Sequence, residues 1–166
     1  MVDVVDEFDR VVRTVPRSEM RRERLRHRAV FVAVLDGAGR LLVHRRAPTK
    51  DVWPGWLDLA VGGVVTSGET CSDAVRRELA EEIGVEAIEP IEIDEGRFQL
   101  FDDADVSLVG RCFAVTTTGP FVFADGEVSE AWWVTHEEFE ELRHRERFLP
   151  DSIALLLPLV RPLLDW

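Results

Sequence analysis

A chain of 166 residues with 46% hydrophobic and 31% charged content can bury about 70% of its unfolded surface in one domain, with no need of disulfides or structural metal. Its net charge of −12 and pI near 4.8 argue against nucleic acid or an anionic membrane surface as partner. Small phosphorylated ligands stay open, because a bound divalent cation reverses the local sign.

From the N-terminus, "VDVVDEFDRVVRTV" predicts a short hairpin, with apolar residues on both sides of the polar turn Glu7–Asp9. "PRSEMRRERL" is polar and charged, a short helix or an exposed loop. "HRAVFVAVLDGAGRLLVHRRA" reads as strand, Asp36-Gly37 turn, strand, because Val, Phe and Leu crowd both arms. After a loop containing "DVWPGW", "LDLAVGG" reads as one short strand ending in glycines. "SGETCSDAVRRELAEEIG" carries helix marks: Ser67 or Thr70 to cap the start, Ala74, Leu79 and Ile83 in an apolar stripe, and Gly84 to end it. Further strands are expected at about 88–94, 97–101, 106–117 and 128–134. "THEEFEELRHR" predicts a capped amphipathic helix, and "PDSIALLLPLVRPLLDW" a final one starting at Pro150. Strands mixed with a few helices, without strict alternation, predict an α+β sandwich with a mostly antiparallel or mixed sheet. Residues 1–166 are expected to form one domain, with 1–28 as a hairpin-and-helix extension.

Cys71 and Cys112 form no CxxC motif and read as reduced, buried thiols of a cytoplasmic protein. The acidic start "MVDVVDEFDR" lacks the pattern of a signal peptide. The longest apolar run, "IALLLPLV", is too short to span a bilayer and contains Pro158.

The helix expected over 70–83 holds three glutamates, Glu78, Glu81 and Glu82. Glu78 and Glu82 lie one turn apart, where like charges repel by roughly 0.2–0.5 kcal/mol. At about 100° per residue all three project within one sector, while Leu79 and Ile83 turn to the core. Such an oxygen-only set suits a hard cation, Mg²⁺ or Mn²⁺, and with no Cys or His beside it zinc fits poorly. An acidic helix face alone is ordinarily just solvated.

The wider spacing changes that estimate. Gly63, five residues, Glu69, seven residues, then Arg77-Glu78-Leu79-Ala80-Glu81-Glu82-Ile83-Gly84-Val85 matches the Nudix box at every specified position. Chance produces such a match at about one starting position in a hundred million. The chain therefore resembles a Nudix hydrolase, with the box over residues 63–85. The resemblance implies the Nudix α/β/α sandwich with a mixed central sheet. It implies Glu78 and Glu82 as principal metal ligands, Glu81 as a further ligand or water partner, and Arg77 paired with Glu69 to brace the loop. It also implies the Gly62 carbonyl as a ligand; the paired glycines permit that backbone turn. The family's later acidic residue is matched best in "DGEVSEAWWV" by Glu127, as ligand or general base, with Glu130 second.

The N-terminal half also resembles the isopentenyl-diphosphate isomerase-like branch of the superfamily. It shares a VDE hairpin, an HRA segment entering the first long strand, and a K-x-x-W-P-G-x-x-D loop. Those isomerases carry a C-G-H-P motif before a degraded box, whereas this chain reads Val61-Gly62-Gly63-Val64 before an intact one. Valine cannot shuttle a proton and glycine has no imidazole, so the resemblance implies hydrolysis. His27 matches a metal-binding His of the isomerases, but its partner position is Gly63, which favours a structural or substrate-contact role. Arg45, Arg46 and Lys50 could hold outer phosphates, and Trp53 and Trp56 could stack on a base or anchor their loop in the core. "FDDADV" resembles an acidic metal cluster but reads better as a polar loop.

The expectation is a cytoplasmic, Mg²⁺-dependent hydrolase (Mn²⁺ as substitute) that cleaves a phosphoanhydride in a nucleoside diphosphate derivative or related diphosphate. Its partner would be that small phosphorylated molecule, with no nucleic acid and no membrane. The rivals are an isomerase of isoprenoid diphosphates and a nucleotide sensor without turnover.

Overall fold

The computed structural model describes residues 1–124 and 126–166. Its elements in chain order are β1 (Val2–Val5), β2 (Val11–Val15), α1 (Arg17–Arg22), β3 (His27–Leu35), β4 (Leu41–Arg46), β5 (Leu57–Asp58) and β6 (Val61–Val64). There follow α2 (Cys71–Ile83), β7 (Ile91–Glu92), β8 (Gln99–Asp102), β9 (Ser107–Thr116), β10 (Val128–Val134), α3 (His136–Arg145), α4 (Pro150–Leu155) and α5 (Leu157–Leu164).

β3 explains the layers. Its unbroken apolar run is what a strand covered on both faces requires. Ala29, Phe31, Ala33 and Leu35 pack on one face with Phe139 of α3, Leu155 of α4 and Val160 and Leu164 of α5. Val30, Val32 and Val34 point the other way, against Ala74, Val75, Leu79 and Ile83 of α2. Each large side chain so buried contributes roughly 1.5–3 kcal/mol. The fold is thus α+β, a mixed sheet between two helical layers, as the sequence implies.

One edge of β3 pairs with β9 in parallel over its whole length, His27↔Leu108 to Leu35↔Thr116. The other edge is shared in turn by β1 at His27, by β6 from Ala29 to Val32, and by β4 at Leu35. All of these are antiparallel, so β3·β9 supplies the parallel component of the mixed sheet.

Several expectations need correcting. The Asp36-Gly37 hairpin joins β3 to β4 only at Leu35↔Leu41, because β4 leaves to pair with β10 and β5. "LDLAVGG" is two strands, not one. The Asp58 carboxylate accepts the Ala60 N–H at 3.0 Å, and this local turn sends the chain from β4 to β3. The last helix divides at Leu156, where Pro158, lacking an N–H, sits in the first turn of α5.

The strand expected at 88–94 shortens to Ile91–Glu92. β1 and β2 form the hairpin, and with Met20 of α1 they bury Val2, Val4 and Val15 against Val64. That small cluster ties the N-terminal segment to β6. No helix among the described residues is long and apolar enough to cross a membrane.

Candidate functional site

α2 is fixed at both ends by local chemistry. The Thr70 hydroxyl caps the N-terminus by accepting the Asp73 N–H at 3.1 Å, and Gly84 closes the C-terminus in the left-handed region at φ 69°. Its buried stripe runs Ala74, Val75, Glu78, Leu79, Glu82, Ile83. Two glutamates therefore take positions where apolar residues belong. Glu78 is 6% and Glu82 3% exposed. Burial pushes the Glu78 carboxyl up, despite its bond from Arg77. Burial, and then the Glu78 charge, push Glu82 well above its usual range. Two adjacent buried carboxylates are costly unless a cation compensates them.

Glu81 does not join them. Its side chain is half exposed and accepts from Arg77 Nη1 at 3.2 Å. Arg77 grips Glu69 bidentately, Nε to Oε1 at 2.9 Å and Nη2 to Oε2 at 3.0 Å. It also donates to Glu78 Oε1 at 2.6 Å and to the Val64 carbonyl at 3.2 Å. One guanidinium thus clamps the loop after β6 to the helix.

Gly62 and Gly63 lie in β6, directly over the two glutamates. Val65 N–H donates to the Arg28 carbonyl at 3.0 Å, which makes Phe31↔Gly62 a non-hydrogen-bonded pair of the antiparallel ladder. The N–H and C=O of Gly62 therefore turn away from β3, and the N–H meets Glu82 Oε2 at 3.3 Å. A Cβ on Gly63 would stand 2.5 Å from Glu78 Oε1, and one on Gly62 would stand 2.0 Å from the Val30 carbonyl oxygen. No side chain at Gly63 is compatible with Glu78 where it stands.

A cleft of about 300 Å³ opens beside β6. Lys50 lines it, with Nζ 3.9 Å from Glu82 Oε1 and bonded to Glu127. The Ala47 N–H donates to the Glu127 carbonyl at 2.8 Å, bringing these two segments together. Burial pushes the Glu127 carboxyl up, but Lys50, with Arg17 and Arg46, overrides this and holds it below the usual range.

The structure separates the remaining candidates. Arg46 and Trp53 line the cleft; Arg45 does not. Arg45 is held by Glu130 at 2.6 Å, Glu146 at 3.4 Å and the Gly55 carbonyl at 3.1 Å. Glu130 is thereby occupied away from the cleft. Asp125, the first residue of the "DGEVSEAWWV" stretch, lies outside the described residues. Trp53 is buried, and its indole N–H donates to Asp105 at 3.1 Å. It anchors its loop, and that bond with the Arg26–Asp102 ion pair makes "FDDADV" a structural loop. His27 is buried in the cleft wall against the Leu25 carbonyl at 2.9 Å, and burial brings its pKa down to about 4.

Sequence reasoning missed Arg17 and Arg21 of α1, Asp58 as a cleft residue, and Asp151 of α4; all four line the cleft. Asp58 ends the K-x-x-W-P-G-x-x-D loop, so a signal for it was present. The others come from elements far apart in the chain and carry none.

Comparison with known proteins now decides the family. The NUDIX domain model matches residues 25–154. The chain belongs to the Nudix family. Nudix hydrolase YfcD of Salmonella typhi is 41% identical over 155 residues, covering 93% of this chain and 82% of that protein. Nudix hydrolase PA4841 of Pseudomonas aeruginosa is 36% identical, covering 92% and 88%. The crystal structure of DR0079 from Deinococcus radiodurans superposes with a TM-score of 0.80 at 28% identity, covering 96% of this chain and 99% of that one.

The residues present fit the divalent ion that Nudix enzymes use. No three His, Cys, Asp or Glu side chains among the described residues stand together as a ready-made cage. Mg²⁺ needs no such cage, since it binds through one or two carboxylates and keeps water or substrate oxygens elsewhere. Glu78 and Glu82 could supply those carboxylates, with the Gly62 backbone turned to the same side. The glycines can be tested apart from the metal. Gly62→Ala strikes backbone and should lose about 1–3 kcal/mol or more in urea unfolding. Gly63→Ala meets the far end of a side chain, so it should cost less stability while displacing Glu78 and lowering turnover. Equal stability losses would place the two contacts wrongly.

Proposed function

We propose that this Nudix hydrolase cleaves a phosphoanhydride bond in a nucleoside diphosphate derivative or related diphosphate, with Mg²⁺ (or Mn²⁺) and in-line attack by water on phosphorus. The observation that supports this reading is the buried Glu78–Glu82 pair, set beside a cleft lined by Lys50, Arg17, Arg21 and Arg46. Buried acids beside the cleft call for a cation, and bases on its walls call for an anion. A metal diphosphate supplies both.

Glu78, Glu82 and the Gly62 carbonyl would hold the ion, which when bound neutralises diphosphate charge and makes water a stronger acid. Arg77 positions Glu78 and ties β6 to α2 through Glu69. Lys50 offsets the charge of Glu82 and would meet a phosphate oxygen. Glu127, ionised at neutral pH, is the proton acceptor at the cleft wall.

The deciding experiment incubates the protein and Mg²⁺ with nucleoside di- and triphosphates, sugar nucleotides, dinucleotides and prenyl diphosphates, following released phosphate and, by NMR, double-bond migration. Hydrolysis of at least one anhydride, abolished by EDTA, is expected. Double-bond migration without hydrolysis would overturn the reading.

Metal binding should also show in stability. An ion that binds only the folded state at a hundredfold excess over Kd adds about 2.7 kcal/mol, roughly 5–10 °C in Tm for a chain of this size. A melting curve indifferent to Mg²⁺ and EDTA would remove the ion from this site.

A further inference from the structure

The cleft holds three guanidiniums that no carboxylate meets at ion-pair distance among the described residues, although Glu127 and Asp151 share the lining. Arg17 and Arg21 stand one turn apart on α1, Arg46 ends β4, and all three line the cleft. None forms an ion pair among the described residues, although the chain carries an excess of acids. Arginines elsewhere find partners readily, as Arg10 does with Asp6, Arg40 with Asp36 and Arg76 with Glu89.

Arg46 gives Nη2 to the Val52 carbonyl at 3.1 Å, while its Nε is buried with no hydrogen-bond partner. Arg21 is half buried. Burial and then the charges of Arg17 and Arg46 work against its guanidinium, with a smaller offset from Asp51 and Asp151. Desolvated guanidiniums that repel one another are held at a cost, which an anion placed among them would remove.

We propose that Arg17, Arg21 and Arg46 form an anion subsite that takes the terminal, doubly charged phosphoryl group of the substrate. This rests on the diphosphate reading above and narrows it to substrates with a free phosphoryl end. A terminal phosphate carries about −1.5 to −2 at neutral pH and three acceptor oxygens, enough to engage three donor forks. A phosphate capped on both sides carries a single charge and leaves part of the cluster uncompensated. The family match begins at residue 25, so Arg17 and Arg21 precede the matched domain while Arg46 lies within it. The matched domain thus supplies the buried acids and one arginine, and the segment before it supplies the other two.

Calorimetric titration with inorganic pyrophosphate in EDTA tests the subsite without metal or turnover. The wild-type protein should bind, and Arg21→Gln should weaken binding at least tenfold. Arg21→Lys, which keeps the charge and loses the fork, should fall between them. Arg97→Gln removes an exposed charge elsewhere and should bind as wild type. Circular dichroism checks each fold, and Arg46→Gln replaces Arg21→Gln should the latter not fold. With Mg²⁺, Arg21→Gln should raise KM for a nucleoside diphosphate at least tenfold and for a dinucleoside diphosphate much less.

Absence of binding to wild type, or equal binding by wild type and Arg21→Gln, overturns the subsite even where hydrolysis proceeds. Arg21-dependent pyrophosphate binding in a protein that hydrolyses no anhydride keeps the subsite and overturns the hydrolytic reading instead.

Discussion

Glu82→Gln is expected to lower kcat by about two to four orders of magnitude, the scale on which losing a metal's several kcal/mol of transition-state stabilisation falls. The substitution is nearly isosteric. Its amide oxygen can still accept the Gly62 N–H that meets Glu82 Oε2 at 3.3 Å. It also removes a charge that is only 3% exposed and lies beside Glu78. The metal-free variant should therefore melt at or above the wild-type temperature while losing activity, and should lose most of its Mg²⁺-induced stabilisation. Stability and activity moving in opposite directions separates a functional acid from a structural one. Glu81→Gln, at a half-exposed position shared with Arg77, should cost far less than Glu82→Gln. Full turnover in Glu82→Gln would take this residue out of the mechanism.

Much of α2 could be read directly from the chain because its determinants are local. Thr70, the apolar stripe and Gly84 act within a few residues of one another. The spacing from Gly63 to Val85 encodes the floor of the site in the same way. Glu81 shows the limit of such reasoning. Helical geometry puts it near Glu78 and Glu82, but the rotation of α2 against β6 leaves it on the rim, and that rotation is set by Val30, Val32 and Phe113 across the sheet. Strand pairing was equally hidden. Nothing within "HRAVFVAVLDGAGRLLVHRRA" says that β6 displaces β4 from the edge of β3. The cleft walls were least legible, since they join residue 17 to residue 151. Arg45 and Arg46 are indistinguishable in sequence, yet strand alternation sends one to Glu130 and the other into the cleft.

Asp151→Asn should stabilise the protein in alkaline solution and much less in acid. Asp151 is buried beside the cleft, 6% exposed. Burial, then the charge of Asp58, bring its pKa up to about 7, well above the ordinary carboxylate range, against the pull of the Ser152 N–H and Arg46. A folded-state pKa above the unfolded one means that the folded protein holds the proton longer. The contribution is complete below about pH 4, falls as pH rises, and is gone once pH passes about 7.

Between pH 5.5 and pH 8.5 wild type should thus lose about 2 kcal/mol that the variant keeps, since one pKa unit is worth about 1.4 kcal/mol. In Tm that is about 4–8 °C. Asparagine preserves the acceptor for the Ser152 N–H, bonded to Asp151 Oδ1 at 2.8 Å, so the start of α4 is undisturbed. Urea unfolding of both proteins across this range gives the difference directly, and titrations common to both cancel. A gap that widens with pH locates an acid that sheds its proton only near neutrality, next to an arginine cluster. A gap constant with pH would mean that Arg21 and Arg46 hold Asp151 ionised throughout. Those arginines would then be partly neutralised by the protein itself, and the pull of the cleft on phosphate would weaken accordingly.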